Sequence, residues 1–324
     1  MTDAKRRRFA TSQDWHAFVA EIASQQPPPV VDLYGLRRAT YVEIERLRGR
    51  SLFVYATKFP DAPPYAPITI EQGDVDGFTD LISRSPTDAV AIDVLLHSPG
   101  GSPEATERIV DLLRSRFKDV AFLIPHSAFS AATMLALSGD EIILHPSASL
   151  GPIDPQINGI PARAIRKGFD RVRERLKVDG PEALPAYLPL IEKHSLEILE
   201  ICDDALELSK ELASSWLFEY MHRGDESKRK SIEEIVEYFS DYGQHKTHSR
   251  PLTYTKLSRF DLKIKLAEHE LAVLMREAYL LLSGFFSVSP FVKVFEDARG
   301  LTWGKQFQIV NLPSPPGTMP QPLV

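Results

Sequence analysis

The sequence predicts an α/β fold: a sheet with much parallel pairing, flanked by helices, with further helices at both ends. Three observations point there. Short apolar runs of strand length, at 51–57, 91–96 and 120–125, alternate with stretches whose apolar residues recur at helical spacing. Two consecutive glycines, Gly100 and Gly101, stand between the end of a strand run and the start of a helix pattern. Ser130 opens the run 131–137, which is apolar nearly all round and therefore reads as a buried helix.

In chain order, 12–24 reads as a short amphipathic helix and Pro27-Pro28-Pro29 as a stiff linker. A helix is expected over 41–50 and a strand over 51–57; a Pro-rich loop at 60–67 then leads to 68–70 and to a helix near 75–83. The strand 91–96 ends at His97-Ser98-Pro99-Gly100-Gly101, where the glycines permit backbone conformations closed to other residues. Ser102 is a good N-cap and Pro103 suits the first helical position; Ala105, Ile109, Leu112, Leu113 and Phe117 mark the buried side of the helix that follows. After the strand 120–125 and the helix opened by Ser130, Gly139 makes the stop, and a third strand precedes Leu150-Gly151-Pro152-Ile153-Asp154-Pro155-Gln156.

Beyond Gln156 the pattern is helical. Ala162, Ile165, Phe169, Val172 and Leu176 share one face, and Arg163, Arg166, Lys167, Arg171, Arg173 and Arg175 make the other basic, as a solvated surface would be. A long helical region is expected over 188–217, a polar turn over 224–230 and a helix over 231–239. The pattern over 267–282 is strongly helical, and Phe285, Phe286, Phe291, Val292, Val294 and Phe295 after it call for burial against the core or a second subunit, ahead of shallow membrane contact. The division expected is an N-terminal helical extension and linker over 1–40, a core domain over 41–265, a C-terminal helical extension over 266–312 and a disordered Pro-rich tail over 313–324.

Composition narrows the function. The 324 residues carry 38 Lys and Arg against 44 Asp and Glu, a net charge of −6 that argues against a nucleic-acid partner. The lone cysteine, Cys202, excludes an internal disulfide and, within a helical run, reads as a core residue. No run approaches the roughly 20 uninterrupted apolar residues that span a bilayer, and the basic start MTDAKRRRF is broken by Ser12-Gln13-Asp14-Trp15-His16 before any apolar core. The expectation is a soluble cytoplasmic enzyme with no transmembrane segment and no metal or cofactor.

The chemistry concentrates at Ser130. Gly100 and Gly101, between a strand end and a helix start, can turn their N–H groups outward, where oxyanion donors are built. A serine in the first turn of a buried helix meets the positive end of its dipole, and the N–H of Ala131 points toward any oxyanion formed there. A serine before a helix is most often only a cap, and a Gly-Gly only a turn. In this order, followed by Asp154-Pro155-Gln156, they point to acyl transfer on Ser130. Ser127, at the strand exit, ranks below it.

These residues carry a resemblance. HSPGG at 97–101, SAATMLALSGDEI at 130–142 and LGPIDPQ at 150–156 resemble the serine dehydrogenase proteinase family, over about residues 50–265. Its members are serine peptidases of the Clp-protease and crotonase fold, related to signal peptide peptidase A and to membrane-associated Ser-Lys peptidases. The resemblance implies a core of repeated strand-strand-helix units, Ser130 as nucleophile, and Gly100, Gly101 and Ala131 lining the oxyanion hole. It also implies a peptide or protein substrate and a homo-oligomer with sites near subunit boundaries. The segment Lys246-Thr247-His248-Ser249 resembles the Trp-Thr-His segment near the end of the family's peptidase domain.

A serine hydroxyl needs a partner to take its proton. Where the Clp protease has its histidine, this chain has Pro152-Ile153-Asp154-Pro155, which argues against a histidine triad. His97, His126 and His145 abut strand ends or prolines, where structural roles are common, and His194 remains. The related Ser-Lys peptidases place a lysine further along, and 160–167 resembles the segment around it, so the resemblance implies Lys167 as the base, with Lys177 and Lys193 as alternatives. If its helix is continuous, Lys167 lies opposite the apolar face of Ile165, Phe169 and Val172 and would have to reach the serine across a subunit boundary or after a bend. Ala132 departs from the family, which more often has glycine there. That keeps in play an inactive scaffold binding a partner, and acyl-CoA chemistry on a crotonase fold. The serine at the helix start favours the peptidase, and no carboxylate pair argues for hydratase chemistry.

Overall fold

The computed structural model describes residues 6–195 and 197–308. Helices α1 (Ser12–Ser24) and α2 (Leu33–Arg48) precede β1 (Ser51–Thr57). The strand-helix alternation follows as α3 (Asp74–Ser83), β2 (Ala91–His97), α4 (Pro103–Arg116), β3 (Asp119–Ile124), β4 (Ser127–Ala128), α5 (Ala131–Leu137), β5 (Glu141–Leu144) and β6 (Ser149–Leu150). A small hairpin, β7 (Gln156–Ile157) and β8 (Ile160–Pro161), leads to α6 (Ala162–Asp179), α7 (Leu184–Ile191), α8 (Ile198–Trp216), α9 (Arg229–Ser240) and the turn-long α10 (Tyr242–His245). The chain returns to the sheet through β9 (Leu252–Thr253), α11 (Tyr254–Leu257) and β10 (Ile264–Leu266), and closes with α12 (His269–Val288), β11 (Phe291–Asp297) and β12 (Thr302–Gln306).

The main sheet runs β10-β5-β3-β2-β1-β11-β12, parallel from β10 to β1, with β11 antiparallel to β1 and β12 antiparallel to β11. Its central strands are apolar on both sides because helices cover both faces. Ile92, Val94 and Leu96 of β2, with Phe53, Tyr55 and Phe122 from the neighbouring strands, pack against α3, α4, α5, α8 and α9. Leu95, with Leu52, Val54 and Leu123, packs against α2 and α12. A second sheet, β4-β6-β9, sits beyond the strand ends and holds the site.

Differences from the expectation have local causes. The helix expected over 41–50 begins at Leu33, because Asp32 caps it by accepting from the Gly35 N–H, and it ends at Gly49 with φ 66°. The region 188–217 divides into α7 and α8, and the stretch 266–312, expected as a helical extension, supplies one helix and two strands of the main sheet. The strands were hidden by Lys293, Glu296 and Asp297, which interrupt the apolar run yet are fully buried. Lys293 is paired with Asp74 at 2.8 Å, and Glu296 with Arg37 and with the Tyr41 hydroxyl at 2.7 Å. Phe286, Val292, Val294 and Phe295 are therefore buried within this chain. Helix α12 is long and apolar enough by composition to cross a membrane, but it serves as a core helix, with buried Glu277 bonded to Arg6, Arg8 and the Phe9 N–H. The Pro-rich tail over 313–324 lies outside the described residues.

Candidate active site

The geometry around Ser130 follows from how β4 is held. The Ser98 N–H donates to the Ser127 carbonyl at 3.1 Å and the Phe129 N–H to the Ser98 carbonyl at 3.1 Å, so the strand end of β2 fixes the approach to the serine. Helix α5 starts at once, and Ser130 turns the chain at φ 54°, ψ −126°, a region non-glycine residues rarely occupy. Thr133 holds that turn: its hydroxyl donates to the Ala128 carbonyl at 2.7 Å and accepts from the Gly151 N–H at 3.0 Å. The Ser130 side chain makes no capping hydrogen bond, so its hydroxyl is not spent on the helix it opens.

The two glycines face it for different reasons. Gly100 has φ 99°, and a Cβ there would stand 2.4 Å from the Phe129 carbonyl oxygen and 2.6 Å from the Ser130 Cβ. Only glycine permits this approach. Its N–H donates to the Ser98 hydroxyl at 3.2 Å. Gly101 is pinned alongside Ile70, whose N–H donates to the Gly100 carbonyl at 2.7 Å and whose carbonyl accepts from the Ser102 N–H at 2.9 Å. Among the described residues the Gly101 and Ala131 N–H groups have no hydrogen-bond partner, which leaves them as the available oxyanion donors. Ser102 and Pro103 open α4 as expected, with the Ser102 hydroxyl accepting from the Ala105 N–H at 3.0 Å.

Gly100, Gly101, Ser130 and Ala131 line one cleft of about 510 Å³, together with Met134, Ile153 and His248. His248, which the sequence reading did not weigh as a base, also lines this cleft. Its Nδ1 lies 2.9 Å from Oδ1 of Asp154, whose side chain is 1% exposed. With the proton on Nδ1, donated to the carboxylate, Nε2 carries its lone pair free to accept one. Asp154 sits in the Pro152–Pro155 loop, tied down by the Ile153 N–H to the Phe239 carbonyl and by the Ala162 N–H to the Pro155 carbonyl, both at 2.9 Å. The pairing of β9 with β6, Leu150 opposite Leu252, returns the segment that bears His248 to this loop. The available signals were its Thr-His segment and the Asp in LGPIDPQ, but the histidine comes far along the chain from the serine.

The other candidates lie elsewhere. Lys167 is exposed and does not line the cleft: α6 turns Ala162 and Ile165 inward, and the Lys167 ammonium lies against Gly243, 3.2 Å from where a Cβ there would be. Lys177 pairs with Glu174 on the surface, Lys193 is exposed, and the His194 ring packs on Phe169. Ser127 is buried, its hydroxyl 2.7 Å from Nδ1 of His126. His97 is buried with its ring nitrogens against the Phe59 and Ser127 carbonyls, and burial holds its pKa down to about 4. Burial also lowers His126 and His145. Cys202 is packed between α6 and α8, and the Ala132 methyl is in the core, away from the cleft.

The family model of the ClpP-like SDH-type serine proteinases matches residues 56–279. An uncharacterized protein of Methanocaldococcus jannaschii is 29% identical over 227 residues, covering 68% of this chain and 69% of its own. A second from that organism is 31% identical over 185 residues, covering 53% and 62%. Among solved structures, the ClpP protease catalytic domain from Plasmodium falciparum overlaps at a TM-score of 0.36 and 14% identity, covering 71% of this chain and 91% of that one. A mutant of a membrane-bound stomatin-specific protease in complex with a substrate peptide overlaps at 0.29 and 18%, covering 66% and 93%. With more than half its length matched by the family model, and with the serine, the Gly-Gly turn and the cleft inside that match, this chain belongs to the ClpP-like SDH-type serine proteinases.

Proposed function

We propose that the protein is a serine endopeptidase working through an acyl-enzyme on Ser130, with His248 as general base and Asp154 orienting it. The observation that carries this reading is the His248–Asp154 pair opening into the same cleft as Ser130. Ser130 Oγ attacks the scissile carbonyl carbon while Nε2 of His248 takes its proton, and the carbonyl oxygen becomes an oxyanion held by the Gly101 and Ala131 N–H groups. Collapse breaks the C–N bond, and the proton passes from His248 to the departing amine. Water, deprotonated by His248, then attacks the ester carbonyl carbon; collapse breaks the C–O bond to Ser130, and His248 returns the proton to the departing Oγ.

The Ser-Lys dyad implied by the resemblance has less support, since Lys167 lies outside the cleft lining and beside α10. A fluorophosphonate probe and a quenched peptide separate the two readings. The expected outcome is labelling of wild type, loss of labelling in Ser130→Ala, loss of turnover in His248→Ala, and turnover retained in Lys167→Arg. Probe attached to Ser127, or an active His248→Ala beside an inactive Lys167→Arg, would overturn the assignment.

A further inference from the structure

Outside the cleft, the surface formed by α6, α7 and the β7–β8 hairpin stands apart. Among the described residues thirteen large apolar side chains are markedly exposed, and five of them fall within 160–190, about a tenth of the chain: Ile160, Val178, Leu184, Leu188 and Leu190. Val178 is 80% exposed and Leu190 57%. Helix α7, LPAYLPLI, carries no charge and has no buried residue. Between it and α6 runs an open apolar groove of about 270 Å³, lined by Ala164, Ile165, Phe169, Leu190 and Ile191. Exposed apolar side chains gathered on neighbouring elements around an open apolar groove mark an interaction surface.

The charge beside it is unlike that of the chain. Helix α6 holds seven Lys and Arg against Asp170, Glu174 and Asp179, a net of +4 where the whole chain has −6. Lys167, Arg171 and Arg175, four residues apart, form one row along the helix, with Val178 at its end. None of the three has an ion-pair partner among the described residues, whereas Arg163 and Arg166 are paired with Asp241 and Asp203.

We infer that this surface lies on a bilayer rich in anionic headgroups. The apolar residues are spread over a hairpin end, a helix end and a separate helix, as on an interface-lying surface, and Arg171 and Arg175 on α6 can reach phosphates while their alkyl stems stay with the apolar side chains. A two-fold contact with a second copy would set one +4 helix against another and is disfavoured by that repulsion. The hairpin is common to both sites: Ile157 and Gly159 line the cleft, Ile160 the groove. Bound in this way, the protein holds the mouth of the cleft beside the membrane. The docking itself does not depend on the cleft being catalytic.

Cosedimentation of the full chain with phosphatidylcholine vesicles, with and without phosphatidylglycerol, tests this. Binding is expected only with phosphatidylglycerol and is expected to weaken as salt is raised. Arg171→Glu with Arg175→Glu should weaken it roughly tenfold or more. Leu188→Ser with Leu190→Ser should weaken it as well, and Ser130→Ala should leave it unchanged. All these positions but Ser130 are exposed, and thermal unfolding checks that each variant is folded. No binding, equal binding to both vesicles, or wild-type binding by the double glutamate variant would overturn the proposal. A self-association lost in Leu188→Ser with Leu190→Ser, without vesicle binding, would do so too and would assign the surface to a second copy.

Discussion

Replacing Asp154 with asparagine tests the base most directly. The carboxylate is buried, accepts from His248 Nδ1 at 2.9 Å and has no other hydrogen-bond partner among the described residues, so its whole effect passes through the imidazole. In the proposed mechanism it fixes the tautomer with the proton on Nδ1, and it faces the positive charge that appears when Nε2 takes the Ser130 proton. A hydrogen bond to a charged group contributes about 1.5–3 kcal/mol, and the asparagine amide, turned toward Nδ1, selects the tautomer whose Nε2 is already protonated. The hydrogen bond alone accounts for roughly 10–150-fold in kcat; with the tautomer inverted as well, a loss of roughly 10⁴-fold is expected, the loss a serine triad shows when its carboxylate is made neutral. KM is expected to stay within about threefold, since Asp154 does not line the cleft and so makes no contact with bound peptide. Steady-state kinetics on a quenched peptide gives both constants, and thermal unfolding of the near-isosteric variant should show an intact fold. A folded Asp154→Asn enzyme with kcat within tenfold of wild type would refute the His248 assignment.

Two further outcomes follow from the same geometry. Gly100→Ala places a Cβ 2.4 Å from the Phe129 oxygen at a φ of 99°; a loss of about 2–3 kcal/mol in urea unfolding and of at least 10²-fold in turnover is expected, and a variant with wild-type turnover would contradict the close approach. His97 is held near 4 by burial, whereas an unfolded histidine titrates near 6.5, so between those values the unfolded chain binds a proton that the folded chain refuses. Stability should fall as pH drops through that window, by up to about 3 kcal/mol at pH 4, and His97→Gln should flatten that part of the curve; equal slopes in urea titrations of the two proteins would exclude the histidine as its source.

What was legible in the sequence was what is local. The Gly-Gly turn, the caps of α4, the buried α5 and the serine at its start are each written in adjacent residues, because backbone permission, capping and helical burial act over a few positions. His248 and Asp154 are an ordered pair only through the β6–β9 contact, and no spacing rule reports a strand that returns a hundred residues later. The expected lysine does not line the cleft of its own chain, for the reason its own helix supplies: the periodicity that buries Ile165 turns Lys167 outward. Strand β11 was obscured by buried charge, since Lys293 and Glu296 read as surface residues until Asp74, Arg37 and Tyr41 are seen around them.

Strand β11 also orders events in time. It lies between β1 and β12, with Phe295 opposite Tyr55, a pairing that spans most of the chain. As the chain leaves the ribosome, β1 can pair with β2 and the strands beyond it, but its other edge stays open until the segment after α12 emerges. Until then Asp74, buried beneath that edge, lacks both of its cations, Lys293 on β11 and Lys305 on β12. Closure of the sheet is a late, long-range step, slow for the entropy of the loop it must close, and the nascent protein carries a free strand edge and an unpaired carboxylate until it is made.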